Sequence, residues 1–259
     1  EQLARTEATI SAAVNEFLVS DILRQADGFE QAEAGNEADP NLTLREALNR
    51  AAEKVGNRFA DQPLAEAAVR VAIGQSYLGL SESPAAEVQL RRAQVLRDAA
   101  LGPLHPSSLQ VRFELGRSHL GQSQFADAIA NLNTVVAQQT KTLGLDHPDT
   151  CYSRNFLAQA LESSGQLDEA EAIYRDLLER RTRSQGPRHR ETITLMNNLA
   201  KIIGDRGQLD EAESLYRDAL ALSTEVKGPE HPDTLNTMNN LGSLLNTRSK
   251  FDESLEILT

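Results

Sequence analysis

Residues 143–180 read LGLDHPDTCYSRNFLAQALESSGQLDEAEAIYRDLLER, and the features of this segment recur along the chain every 42 residues. Four histidines show the interval most clearly: His105, His147, His189 and His231. A column of small residues keeps the same step: Gly74, Gly116, Ala158, Ala200 and Gly242. Self-similarity at one fixed period predicts an array of structural repeats in which each unit packs on its neighbours.

Each repeat is predicted to hold two antiparallel helices, here called helix A and helix B, which are joined by a short turn. The repeats are expected at 63–104, 105–146, 147–188 and 189–230, with an incomplete fifth repeat at 231–259. Residues 1–62 precede this array and are expected to form two further helices and a polar loop. The sequence therefore predicts an all-α protein.

Helix A of the third repeat is predicted over 148–163, from a proline at its start and a glycine after its end. Pro148 at the first helical position loses no helical hydrogen bond, and its fixed φ suits the start of a helix. Proline also pushes the preceding residue out of the α region, so His147 should close the loop. Gly165 supplies the helix stop.

Helix B is predicted to begin with an acidic cap. Asp168 is followed three residues later by Glu171, and the same pair recurs as Asp210 and Glu213. An aspartate at the N-cap with a glutamate at the third helical position has the form of a capping box. We therefore expect helix B to start at Asp168 and at Asp210.

The N-terminal segment carries its own helix signals. Residues 1–26 place apolar side chains on one stripe and are predicted to form an amphipathic helix. Residues 27–42 are polar and contain glycine and proline, so they are expected to form a loop. Thr43 and Glu46 then match a capping box that opens a second helix ending near Ala60.

The core is predicted to consist of interlocking small and large side chains. Hydrophobic residues make up 40% of the chain, aromatic residues only 4%, and tryptophan is absent, as suits Ala- and Leu-rich helix packing. One large position of helix A repeats as Leu115, Leu157, Leu199 and Leu241. One large position of helix B repeats as Leu132, Tyr174, Tyr216 and Leu258. His119 falls on a core position of helix A and is expected to be buried and hydrogen-bonded.

Composition excludes several classes of function. The net charge of −12 argues against non-specific binding to nucleic acids or to anionic membranes, and no stretch is long and apolar enough to span a membrane. The single cysteine, Cys151, forbids an intrachain disulfide and a cysteine-based zinc site, and it should be a buried apolar side chain. The repeated histidines would lie ~10 Å apart, too far to share a zinc ion. With no catalytic constellation, we predict neither enzyme activity nor a cofactor.

These residues lead to a known family. Leu199-Ala200, Ala212 and Tyr216 occupy small and large positions that resemble the tetratricopeptide repeat. The 42-residue period, with HPDT, NNL and LDEAE followed by Tyr, resembles the longer subtype found in kinesin light chains and many bacterial proteins. The resemblance implies a right-handed superhelical solenoid of antiparallel helix hairpins whose A helices line a concave groove. It also implies binding of a protein or peptide partner in that groove.

A second resemblance concerns the segments at 13–23, 42–63 and 101–109. They are similar to the region that follows the catalytic domain in bacterial serine/threonine kinases that carry such repeats. The chain itself has no Gly-rich loop, H-R-D or D-F-G motif, so it would be the non-catalytic part of such a kinase. The resemblance implies a signalling role and a cytoplasmic location, or alternatively a location across a membrane from the kinase domain.

The candidate groove residues lie on helix A opposite its packed side, at 100° per residue. In the second and third repeats they are Gln110, Phe113, Arg117, Tyr152, Asn155 and Gln159. In the fourth and fifth repeats they are Thr194, Asn197, Lys201, Asn236, Asn239 and Ser243, and Asn198 and Asn240 are expected at the edge of the groove.

The repeated asparagines are the most informative groove residues. Asn155, Asn197 and Asn239 occupy one helical position, although asparagine is a poor helix former. A ladder of amides can donate to and accept from the backbone of an extended peptide. The alternative is a structural ladder that bonds adjacent repeats to each other. Two alternatives also remain for the whole chain: a stand-alone adaptor without a kinase, and self-association into a homo-oligomer.

Overall fold

The structure, a computed structural model, describes residues 12–17, 19 and 42–258 of the 259-residue chain. Regular structure in this part of the chain is entirely helical. The helices are α1 (Leu44–Arg58), α2 (Pro63–Gly79), α3 (Ser83–Leu101), α4 (Pro106–Gly121), α5 (Phe125–Leu143), α6 (Pro148–Ser163), α7 (Leu167–Gln185), α8 (Arg190–Asp205), α9 (Leu209–Lys227), α10 (Pro232–Thr247) and α11 (Phe251–Leu258). From α2 onward they alternate as helices A and B, as predicted.

Only part of the predicted N-terminal segment can be compared with the structure. Residues 12–17 are helical, and the rest of the predicted helix at 1–26, apart from residue 19, lies outside the described residues. The predicted loop at 27–42 also lies outside them, except for residue 42. The capping box before α1 is confirmed, because Thr43 and Glu46 exchange side-chain-to-backbone hydrogen bonds in both directions. That helix ends at Arg58, close to the predicted end.

The chain divides into two compact units, Glu1–Gln138 and Gln139–Thr259. In the first unit, residues 12–17 and α1 share a core with the first repeat, since Phe17, Leu48, Val55 and Leu90 belong to one buried cluster. Burial of apolar side chains therefore joins the N-terminal helices to the array.

The second unit comprises α6 to α11 with the end of α5. Helices neighbouring in sequence also pack together here: α7 packs on α6 and α8, and α9 on α8 and α10. The predicted leucine column is buried, since Leu157, Leu199 and Leu241 are at most 5% exposed. The facing tyrosine position of helix B is buried as well, at Tyr174 and Tyr216.

The column of small residues is required by close helix approach in the first unit. A Cβ atom at Gly74 would lie 2.8 Å from Cγ of Leu90, and one at Gly116 would lie 2.8 Å from Cγ of Leu132. Such a distance is shorter than van der Waals contact, so helix B packs against the bare backbone of helix A. This confirms the predicted pairing of small and large positions.

Each predicted loop histidine is the N-cap of its helix A. The Nδ1 atoms of His105, His147, His189 and His231 accept hydrogen bonds from the backbone N–H two residues later, at 3.1–3.3 Å. Three of these histidines precede proline, but His189 precedes Arg190 and caps its helix equally well. The interpretation as a loop-closing residue before proline was therefore incomplete, because the imidazole itself satisfies a backbone donor at the helix start.

The predicted aspartate caps of helix B are wrong. Helices α7 and α9 begin one residue earlier, at Leu167 and Leu209, and their N-cap glutamines make no side-chain cap hydrogen bond. Asp168 instead pairs with Arg206 at 2.7 Å, and Asp210 pairs with Arg248. The acidic residues at these helix starts are therefore used for ion pairs with the following repeat.

The turn between helices A and B requires a left-handed backbone in every repeat. The predicted stops Gly165 and Gly207 have φ of +83° and +84°. The equivalent residues of the other repeats, Ser81, Ser123 and Ser249, adopt the same region with φ of +58° to +61°. Glycine reaches this region without steric cost, whereas serine does not. The turn geometry is thus set by the packing of the two helices and is kept even where glycine is absent.

Candidate functional site

The predicted groove residues of the first unit are only partly accessible. Gln110 is exposed, and its Oε1 accepts a hydrogen bond from Arg97 at 3.1 Å. Phe113 is buried. Arg117 is half-buried and pairs with Glu114 at 2.8 Å. The polar side chains predicted for this part of the groove, Gln110 and Arg117, thus already make contacts within the protein.

In the second unit most predicted groove residues face solvent. The exposed ones are Tyr152, Gln159, Thr194, Lys201, Asn236, Asn239 and Ser243. Asn155, Asn198 and Asn240 are half-buried, and Asn197 is buried. Lys201 forms an ion pair with Glu162, and this hydrogen bond raises the pKa of the lysine. The accessible polar face is therefore concentrated on α6, α8 and α10.

The three asparagines of the ladder have different environments. Oδ1 of Asn197 accepts a hydrogen bond from Nδ2 of Asn240, 3.3 Å away in the next repeat. Asn239 is exposed. Oδ1 of Asn155 is buried and has no hydrogen-bond donor among the described residues. One member is thus structural, as the alternative interpretation required, while Asn155 and Asn239 keep amide groups that a ligand could use.

A buried tyrosine of helix B contacts one of the predicted groove asparagines. The hydroxyl of Tyr174 is hydrogen-bonded to Asn198, and burial is the main cause that raises the pKa of this tyrosine. Burial likewise raises the pKa of Tyr216 in the next repeat. Both tyrosines are therefore neutral near physiological pH, and the hydroxyl of Tyr174 helps to position the Asn198 amide.

The second unit also contains a cleft of about 250 Å³ beside the N-terminal ends of α6, α8 and α10. It is lined by Cys151, Tyr152, Asn155, Leu177, Arg181, Arg190, Glu191, Thr194, Leu195, Lys227, His231 and Asp233. Three of these residues, Tyr152, Asn155 and Thr194, belong to the predicted groove. The cleft therefore opens on the same face and adds depth to it.

The charges around the cleft are largely paired. Arg181 and Glu191 lie 2.9 Å apart, and Lys227 and Asp233 lie 2.6 Å apart. The Lys227 ammonium is the main cause that lowers the pKa of Asp233. Arg190 is exposed, and its side chain makes no hydrogen bond or ion pair within the described part of the chain. The cleft thus combines an apolar interior with one cation that is available at its rim.

Residues 114–183, 149–204 and 191–259 match the family model of the tetratricopeptide repeat, and together these matches cover more than half of the chain. The chain belongs to the tetratricopeptide repeat family. The predicted all-α tetratricopeptide fold is thereby confirmed. Three successive tetratricopeptide repeats are formed by the helix pairs α6–α7, α8–α9 and α10–α11.

Solved structures give the same fold. The kinesin light chain TPR-like repeats of Podosopora anserina share 24% identity with a TM-score of 0.63, covering 78% of this chain and 92% of that one. BtubC (BKLC) from P. vanneervenii shares 17% identity with a TM-score of 0.65, covering 82% and 85%. NprR in complex with its cognate peptide NprX shares 14% identity with a TM-score of 0.63, covering 99% and 77%. No curated protein matches the chain significantly.

Sequence reasoning missed most of the residues that line the cleft of this tetratricopeptide array. It considered only the exposed side of helix A, whereas Leu177, Arg181 and Lys227 come from helix B, and His231 is the N-cap of the next helix A. One signal was available: Arg190 replaces the proline that follows the capping histidine in the other repeats. A break in a repeated pattern is where a functional residue is to be expected.

Neither a metal site nor a membrane span is found within residues 42–258. No group of three or more His, Cys, Asp or Glu residues in the described part of the chain could hold a metal ion. None of the described helices is long and apolar enough to cross a membrane.

The thiol in the cleft should react slowly. Cys151 is 4% exposed, its Sγ donates a hydrogen bond to the Leu145 carbonyl at 3.3 Å, and burial is the main cause that raises its pKa. Because only the thiolate is nucleophilic, we expect reaction with Ellman's reagent to be about tenfold or more slower than in the urea-unfolded chain. Cys151→Ser is the blank. Equal rates in the folded and unfolded chain would contradict the assignment of a protected thiol.

Proposed function

We propose that this chain is a protein-recognition module that binds an extended peptide segment along the A helices of its second unit. The observation that carries the proposal is the buried Oδ1 of Asn155, an acceptor without a donor among the described residues, in the wall of a cleft on an exposed polar face. Buried polar atoms normally have hydrogen-bond partners, so an orphaned acceptor beside an open cleft is well placed to receive one from a ligand.

The exposed amides extend this site along the array. Asn239 and Asn236 on α10 and Gln159 on α6 each offer one carbonyl and one NH₂ group. An extended peptide presents alternating backbone donors and acceptors, which such side chains can satisfy without reading a particular sequence. The structure of NprR in complex with its cognate peptide supports peptide binding by likeness of fold.

The double substitution Asn155→Ala/Asn239→Ala tests the proposal. A peptide selected on the wild-type chain from a phage-displayed random library serves as the probe, and its Kd is measured by fluorescence polarisation. Loss of the hydrogen bonds of one half-buried and one exposed amide should weaken binding about threefold to tenfold. Asn197→Ala is the matched control, since its amide is used within the array, and it should change stability but leave Kd unaltered.

Two outcomes would contradict this peptide-binding role. If the double variant melts at a lower temperature but binds the selected peptide with unchanged Kd, all three asparagines are structural. Failure to select any peptide on the wild-type chain would argue against the groove itself. Light scattering over a range of concentrations would then test the alternative of self-association, which predicts a molecular mass that rises with concentration.

The finer proposal is that the module belongs to a bacterial serine/threonine kinase and couples its activity to a partner. It rests on the resemblance of the segments at 13–23, 42–63 and 101–109. A cytoplasmic location belongs to the same proposal. The coding sequence upstream of residue 1 is the test: a kinase domain there supports the proposal, and a start codon close to residue 1 favours the stand-alone adaptor.

A further inference from the structure

Arg190 breaks the pattern of its own repeat array. The residue after the capping histidine is proline at positions 106, 148 and 232, whereas the fourth repeat has arginine. Proline suits the first helical position, and a cation there faces the positive end of the helix dipole. Arginine is therefore an unfavourable choice for starting α8, and the helix itself gives no reason for it.

The surroundings of Arg190 give no structural reason either. It is exposed; its backbone carbonyl accepts a hydrogen bond from Thr194, but its guanidinium makes no hydrogen bond or ion pair to any described residue. The nearby carboxylates are already paired, Glu191 with Arg181 at 2.9 Å and Asp233 with Lys227 at 2.6 Å. Arg190 comes after Lys227 and His231 among the groups that lower the pKa of Asp233.

The cleft beside Arg190 is suited to an uncharged side chain. Leu177, Leu195 and Cys151 line it and are at most 6% exposed. A charged group placed among them would lose its hydration without gaining a partner, because the two buried cations there already have carboxylates. With three cations and two carboxylates lining the cleft, the positive excess lies at the rim, on Arg190.

We propose that the cleft binds one aliphatic side chain of the partner segment and that Arg190 pairs with an acidic side chain next to it. This inference rests on the proposed peptide-binding function and specifies the chemistry of the partner. Oδ1 of Asn155 would accept the backbone N–H of the same residue, which fixes the aliphatic side chain over Leu177. Arg190 would then determine specificity, while the apolar lining supplies affinity.

An array of nonapeptides tests this partner chemistry. Each peptide is acetylated and amidated, has a Gly-Ser background, and carries one central pair: Leu-Asp, Leu-Asn, Leu-Lys or Ser-Asp. Wild-type protein should bind Leu-Asp best, with a preference over Leu-Asn of about threefold to fivefold at low salt, as for an exposed ion pair. The preference should shrink as ionic strength rises, and Ser-Asp should bind weakly.

Two neutral variants locate the preference at Arg190. In each of the variants Arg190→Gln and Arg190→Pro, the affinity for Leu-Asp should equal the affinity for Leu-Asn. Arg190→Pro is the matched control for folding, because it restores the residue of the other repeats. The backbone of His189, with φ −70° and ψ 139°, matches that of His147, with φ −64° and ψ 136°, before its proline. The melting temperature of Arg190→Pro should equal or exceed that of the wild type.

Charge reversal completes the test, since Arg190→Glu should prefer Leu-Lys over Leu-Asp. If Arg190→Gln and Arg190→Pro still prefer Leu-Asp over Leu-Asn, the role proposed for Arg190 is wrong, whereas the aliphatic site is not affected by that result. Equal binding of Ser-Asp and Leu-Asp would overturn the aliphatic site. In both cases the Asn155→Ala/Asn239→Ala result still decides the peptide-binding function separately. Binding of no peptide to the wild-type chain would overturn both proposals.

Discussion

Leu199→Ala should lower the free energy of unfolding by about 2–5 kcal/mol, because it removes a buried side chain and leaves a cavity. Leu199 is 2% exposed in the leucine column of helix A. The chain has no tryptophan, so urea denaturation followed by far-UV circular dichroism is the suitable measurement. In a linear array the loss should also spread, and amide exchange should increase in the adjacent helices α9 and α10.

Leu235→Ala is the matched control for this stability effect. Leu235 lies on helix A of the next repeat but is 46% exposed. Its truncation should cost well under half as much, since less apolar area returns to water and no closed cavity forms. Equal losses in the two variants would show that burial in the leucine column does not govern the stability of this unit.

The first helix of each repeat could be predicted from sequence almost to the residue. The prediction of 148–163 coincides with α6, Pro148–Ser163. Its signals are local: a proline at the first turn, a capping residue, a glycine after the end and a leucine at a fixed period. Such signals act within one helical turn and are therefore visible in the sequence.

The start of helix B was mispredicted for a physical reason. Asp168 and Glu171 match the local form of a capping box, but their carboxylates bind Arg206, which follows them by more than 30 residues. A side chain can satisfy either its own helix end or a residue of the next repeat. Rules based on neighbouring residues detect only a cap on the side chain's own helix. In this array the carboxylates instead form ion pairs that join adjacent repeats.

The candidate site was predicted as a face but not as a cleft. Helical periodicity correctly assigned Tyr152, Thr194 and Asn239 to an exposed side. It could not reveal that Asn197 would bond with Asn240, since a hydrogen bond between repeats depends on their packing distance. The depth of the cleft likewise depends on Leu177 and other helix B residues, which a wheel of helix A does not contain.

Glu213 is a second acidic residue, besides Asp210, that joins the fourth repeat to the fifth. Its carboxylate accepts hydrogen bonds from Arg248 at 2.6 Å, from Lys250 at 3.0 Å and from Arg217 at 3.1 Å. Glu171 holds the same position one repeat earlier and binds Arg175 and Arg206. Burial alone would raise the pKa of Glu213, but the hydrogen bonds from Lys250 and Arg217 outweigh it, so the pKa lies below the ordinary value of 4.5.

Glu213→Gln should lower the free energy of unfolding by about 1.5–3 kcal/mol at pH 7, the range for hydrogen bonds to a charged group. The loss stays below that of a fully buried pair, because the side chains of Arg248, Lys250 and Arg217 are 23%, 34% and 44% exposed. Glu230→Gln is the control, since Glu230 is exposed and makes no ion pair within the described residues. Urea midpoints of the two variants give the comparison.

The same carboxylate predicts the direction of the pH dependence. Because the pKa of Glu213 is lower in the folded chain than its ordinary value of 4.5, its contribution is present above pH 4.5 and disappears as the pH falls below it. Glu171, whose pKa is also lowered, adds to the same loss. The difference in stability between wild type and Glu213→Gln should therefore be constant near pH 7 and shrink below pH 4.5. A difference that persists unchanged in acid would mean that the charge on Glu213 contributes nothing, and that the glutamine destabilises through its shape alone.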